Sequence, residues 1–262
     1  MQITKPLLLL AALTSTTFAR PEGHERRQAS TTSSDSPSST ATSSPSSSSS
    51  SSDSFTDAGF GQKTTNSGSG VTYQGNVGKP WGSNIIEVSS EEAKNYKYVA
   101  QISGENSDPW DVIFWNKYGP GGLMNGWFGF SALTITLGSG ETKYVAFDED
   151  TNGGFAAAPK GDMPLSIAGG YAATWGEFDV GSSGNGGWSG FDVSAITAQN
   201  AGKKVQGMKI CEDVSGTCSS ISPGAASVHN AYTKDKTAVG GIGGNIAQDR
   251  RIVLDATIAW KG

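Results

Sequence analysis

From Ser30 to Ser54, twenty of twenty-five residues are Ser or Thr, broken by Pro37 and Pro45. The run has no hydrophobic period, so no burial offsets the entropy of ordering its backbone. It cannot supply a core, and a fold must be built from Phe55 onward. Such composition reads as an O-glycosylated stalk or spacer. Asn-x-Ser/Thr sequons do not occur in the chain, so N-glycosylation is not expected.

The segment before the tract reads as an export signal. Lys5 gives a positive start, Leu7 to Leu13 is a compact apolar core, and Thr17-Phe18-Ala19 offers a small-x-small cleavage pattern. The apolar run falls short of the ~18–20 residues that a spanning helix needs. Arg26-Arg27 has two readings, a processing site of the secretory path or two solvated arginines. The expected organisation is a signal peptide over 1–19, a pro-segment over 20–27 if the basic pair is cut, a disordered tract over 28–54 and a globular β domain over 55–262. An extracellular protein with no membrane segment after signal removal follows.

The foldable part is 208 residues, enough for one domain that buries roughly 70% of its unfolded surface. It holds 35 of the 36 glycines, which long helices do not tolerate and turn-rich β structure does. Its 20 acidic and 15 basic residues form no basic stripe, so nucleic acid is not an expected partner. Alternation predicts strands over 96–102, 111–115, 132–137, 143–147, 177–180, 190–196, 205–211 and 251–260. Gly138-Ser139-Gly140-Glu141 between two of these runs predicts a hairpin. Ser89 to Glu92 predicts a capping box on one short helix of about two turns. The fold class is therefore all-β, a β-sandwich with long loops and one short helix. Cys211 and Cys218 are the only cysteines. In an oxidising compartment they read as a disulfide around a tight loop; the alternative, metal binding, lacks nearby histidines.

Chemistry is restricted by what is missing. His24 and His229 are the only histidines, and the first falls in the pro-segment. A serine triad has no motif around His229, and the zinc pattern H-E-x-x-H is absent. No metal or cofactor is expected. Carboxylates remain as the reactive groups. Glu177 and Asp192 are the catalytic candidates, since two acids on facing strands suit glycoside hydrolysis. Asp148-Glu149-Asp150 reads as a solvent-facing turn. Tryptophans and phenylalanines beside glycine can stack on sugar rings, and Trp175, Trp188 and Phe191 are the carbohydrate-binding candidates, with Trp188 the one expected to be exposed.

The segments KPWGSNIIEVS, WDVIFWNKYGPGG, GWFGFSALTITL, GETKYVAFDEDTNGGFAAAP and VQGMKICEDVSGTCSSI resemble the secreted fungal allergen family Asp F-four, over about Lys79 to Ile221. That resemblance implies an extracellular fungal protein recognised by IgE, with no assigned activity. Glu177-Phe178 and Asp192-Val193-Ser194 are also similar to the cleft strands of thaumatin-like proteins. This second resemblance implies an acidic cleft, though the cleft arginine would fall near Phe155-Ala156-Ala157-Ala158, where none stands. Three functions follow as expectations: a non-catalytic surface protein binding wall β-glucan, a weak endo-acting glycoside hydrolase, and a secreted effector.

Overall fold

The structure is a computed structural model that describes residues 55–247 and 250–262. The expected signal peptide, pro-segment and Ser/Thr tract lie outside the described residues. Thirteen strands occur among these residues, in the order β1 (Ile85–Val88), β2 (Tyr98–Gly104), β3 (Trp110–Asn116), β4 (Leu133–Leu137), β5 (Lys143–Phe147), β6 (Thr151–Pro159), β7 (Trp175–Ser182), β8 (Trp188–Ser194), β9 (Met208–Glu212), β10 (Cys218–Ile221), β11 (Val228–His229), β12 (Gly244–Ile246) and β13 (Ile252–Ile258). They form a seven-stranded sheet, β1-β5-β2-β13-β9-β10-β11, and a six-stranded sheet, β12-β8-β7-β6-β3-β4. The architecture is the all-β sandwich that the alternation implies.

Period-two side chains explain the layering. On β13, Ile252, Leu254, Ala256 and Ile258 are buried in the core between the sheets. Val112 and Phe114 of β3, Phe155 and Ala157 of β6, Phe178 and Val180 of β7, and Phe191 and Val193 of β8 close the core from the other side. Each of these leaves its neighbour pointing outward. Trp115, Ala156 and Trp175 accordingly join Trp127, Tyr171 and Ala173 in a second apolar cluster. The six-stranded sheet is thus covered on both faces around its middle.

Two expectations are corrected. The 138–141 turn does not make a hairpin: β4 pairs with β3, and β5 pairs with β1 and β2. The turn carries the chain from one sheet to the other, because each strand finds its apolar partner in a different layer. The helix at Ser89 is one turn long, α1 (Ser90–Ala93), and a second, α2 (Ile196–Asn200), follows β8 where the strand was expected to run on. The capping box itself is present. Ser89 N–H donates to Glu92 Oε2 at 2.9 Å, and Glu92 N–H donates to Ser89 Oγ at 3.2 Å.

Cys211 on β9 stands opposite Cys218 on β10, with 4.1 Å between their Cα atoms, and the two form the expected disulfide. No helix among the described residues is long and apolar enough to cross a membrane.

Candidate functional site

The carboxyl candidates meet on the outer face of the six-stranded sheet. Glu177 of β7 and Asp192 of β8 are direct register partners, and Asp179 lies two residues along β7 on the same face. Only 3% of Glu177, 1% of Asp192 and 5% of Asp179 is exposed. Glu177 Oε1, Asp179 Oδ1 and Asp192 Oδ1 are buried without a hydrogen-bond partner. Lys117, just past the end of β3, brings a cation to the same face and is itself buried.

Burial governs the protonation of the group. It pushes Asp179 up to about 7, with the Asp150 charge adding to the shift and the polar side chains of Ser182 and Asn152 and the Lys117 charge opposing it. It pushes Asp192 up to about 8, and Glu177 well above the usual carboxylate range, with the adjacent Asp192 raising Glu177 further. Glu177 and Asp192 face each other across adjacent strands, so a negative charge on one disfavours ionisation of the other. Burial pushes the Lys117 ammonium down, and Asp179 and Glu177 oppose that shift.

Such a pair can hold and exchange a proton. Its spacing is another matter. Glycosidase carboxyls stand about 5–5.5 Å apart for retention and about 6.5–9.5 Å for inversion, with room for a sugar carbon or a water between them. Direct register partners carry Cβ atoms about 4.5–5.5 Å apart, and with both carboxyls buried no sugar ring is admitted between them.

The aromatic candidates separate by layer. Trp175 has no exposed surface: its ring packs on Trp115 at 5.1 Å and its Nε1 donates to Tyr171 O at 3.0 Å. Phe191 points into the sandwich core and is also fully buried. Neither ring presents a face to a sugar, because Phe191 lies in the core between the sheets and Trp175 in the second apolar cluster. Trp188, at the start of β8, is half-buried and keeps an accessible surface.

Gly186 and Gly187, the two residues before Trp188 in sequence, help line an open polar cavity of about 500 Å³. Lys63, Asn66, Glu149, Asp150, Ser183 and Gly187 are among its walls. Asp150 anchors it. Its carboxylate accepts from Tyr73 Oη at 2.7 Å, Ser183 N–H at 3.0 Å and Asn66 Nδ2 at 3.0 Å. Tyr73 is pushed up to about 12, first by burial and then by this carboxylate. Lys63 sits 3.6 Å from Glu149 across the opening. The acidic run is therefore a turn, as expected, but only Glu149 faces solvent; Asp148 and Asp150 are turned inward and buried. Asp148 accepts from Asn76 Nδ2 at 2.6 Å.

Lys117 and the cavity residues before Tyr73 were not singled out from the sequence. A signal for Lys117 existed: it continues the outward series Ile113, Trp115 on β3. His229 is exposed on β11. Among the described residues no cluster of His, Cys, Asp and Glu is arranged to hold a metal ion.

Comparison with known proteins identifies the lineage. Residues 83–258 match the family described as Allergen Asp f 4-like domain. "Allergen Asp f 4" from Aspergillus fumigatus (strain ATCC MYA-4609 / CBS 101355 / FGSC A1100 / Af293) is 59% identical over 188 residues. The match covers 72% of this chain and 58% of that protein's length, so the chain spans little more than half of that relative. Among solved structures, the protein elicitor MoHrip2 from Magnaporthe oryzae aligns with a TM-score of 0.39 and 13% identity, covering 62% of this chain and 99% of that one. By family description and identity alike, the chain belongs to the Asp f 4-like allergen family.

Proposed function

We propose that this chain is an extracellular protein of the fungal surface that binds wall β-glucan without cleaving it, at the cavity beside Trp188. The observation that carries this reading is an open cavity walled by hydroxyl, amide and both signs of charge, two of whose walls, Gly186 and Gly187, directly precede in sequence the one aromatic candidate with accessible surface. Polyhydroxylated ligands need that mixture of donors and acceptors, with an aromatic face for the apolar side of a sugar ring. The leader and the Ser/Thr tract support export and display at a wall. Kinship with an allergen supports recognition by IgE.

Hydrolysis by Glu177 and Asp192 is the weaker reading. The carboxyls are buried on adjacent strands, which keeps a polymeric substrate from the atoms that would attack a glycosidic bond. Sedimentation of the full chain with insoluble β-glucan, chitin and cellulose tests the proposal. Retention on β-glucan is expected, and Trp188→Ala is expected to weaken it by about tenfold, equivalent to ~1.4 kcal/mol. Protein left in the supernatant with all three polymers would refute wall binding. Reducing sugar released from soluble glucan by the wild type, and not by Glu177→Gln, would instead restore the hydrolase.

A further inference from the structure

Lys117 is a buried cation that the proposed function does not use. It is 2% exposed, and its ammonium forms no ion pair among the described residues. Its neighbours form a row across three adjacent strands. Asn116 of β3 pairs with Gly153 of β6, and the next backbone bond, Lys117 N–H to Asn152 O at 2.9 Å, sets Lys117 opposite Asn152. Asn152 is in turn the register partner of Asp179 on β7. Same-face residues directly opposite carry Cβ atoms about 4.5–5.5 Å apart, within the span of a lysine stem. Asn152 is 7% exposed, so water has little access to any member. The Asn152 side chain thus shares a face with the Asp179 carboxyl, whose Oδ1 is buried and unpartnered.

We propose that the folded domain closes an isopeptide bond between Lys117 Nζ and the side-chain carbonyl carbon of Asn152, with Asp179 as the proton-transferring group. The chemistry needs an uncharged amine, an amide and a carboxylic acid held together away from water. Burial favours the neutral amine of Lys117 and the acid form of Asp179. The Lys117 lone pair attacks Asn152 Cγ, while the Asp179 proton polarises and then protonates the amide oxygen. Asp179 takes a proton from the former ammonium nitrogen and delivers it to Asn152 Nδ2. The Cγ–Nδ2 bond breaks, ammonia leaves, and Asp179 regains its proton. One C–N bond forms and one breaks, with no redox change and no external reactant. The product staples β3 to β6 inside the sheet that carries the carboxyl pair. It is independent of glycan binding.

Tryptic peptide mapping of the full chain after disulfide reduction decides the matter. Cleavage is blocked at an acylated lysine. The wild type is expected to yield residues 98–143, uncut at Lys117, joined to residues 144–160 and lighter than their sum by one ammonia. Asp179→Ala is expected to yield 98–117, 118–143 and 144–160 as separate peptides. Separate peptides from the wild type would overturn the proposal whether or not the variant folds. Loss of ammonia at Asn152-Gly153 through its own backbone also leaves the peptides unlinked, and counts against it. A link that survives Asp179→Ala would overturn the role given to Asp179.

Discussion

Asp179 and Asp192 make stability respond to pH in the direction opposite to most surface carboxylates. Their folded values are raised to about 7 and about 8. Unfolded carboxylates titrate near ~3.9–4.3. Between those limits the folded state binds more protons than the unfolded one, so stability falls as pH rises. The contribution is complete below the unfolded values and is lost as pH climbs through the folded ones. Glu177 acts in the same direction, and the Lys117 charge opposes it. The urea midpoint is therefore expected to be higher at pH 5 than at pH 8. Asp192→Asn, which cannot ionise, is expected to flatten that slope and raise the thermal midpoint at pH 8, by about 2–4 °C for each kcal/mol recovered. A midpoint that increases from pH 5 to pH 8 in the wild type would contradict the protonated cluster.

The elements that build the site are those with the least conventional strand sequences. A Cβ on Gly176 of β7 would lie 2.4 Å from Phe155 Cε1 and Cζ and 2.8 Å from Ile210 Cδ1. The Phe155 ring occupies the room that a side chain would take, and so β6 and β7 pack closely where Glu177 begins its outward turn. Gly176→Val is expected to cost about 1–3 kcal/mol through overpacking. Differential scanning calorimetry would show a drop of about 2–4 °C per kcal/mol, and an unchanged midpoint would mean that the ring yields freely. This packing explains what the sequence conveyed. Strands such as β4 and β13, with regular alternation of buried and less buried residues, were legible. β6 was not, since Thr151-Asn152-Gly153-Gly154-Phe155-Ala156-Ala157-Ala158 has neither alternation nor β-branched content after its first residue. Its glycines and alanines are a response to large rings from neighbouring strands, and that information is not local. The pair Glu177 and Asp192 was legible because both lie on readable strands. Lys117 and Asn152 were not, one beyond a strand end and the other inside the strand that was missed. Trp175 and Phe191 were assigned to sugar contact because glycine beside an aromatic residue looks the same whether the glycine clears space for a ligand or for another ring.

The two sheets are tied by contacts between chain segments far apart in sequence. β13 lies between β2 and β9, parallel to β2 from Ile252↔Tyr98 to Ile258↔Gly104 and antiparallel to β9. A parallel pair has no connecting turn to announce it, so the strand was readable and its partner was not. Its inward Ile252, Leu254, Ala256 and Ile258 also belong to the main core. The disulfide has a smaller reach, since it closes a ring with a sequence separation of 7 inside the β9–β10 pair. The chain-entropy estimate for so short a ring is about 2.5 kcal/mol. These two ties are expected to fail differently. Replacing Cys211 and Cys218 together by Ser should keep a single cooperative unfolding transition, shifted by about 2.5 kcal/mol. A chain that ends at residue 250 loses β13, splitting the sheet into β1-β5-β2 and β9-β10-β11 with an open edge on each, and should show no cooperative transition at all. Calorimetry on the two variants separates the cases. If the shortened chain still melts sharply, the core does not depend on β13, and the seven-stranded sheet must be able to close without its central strand.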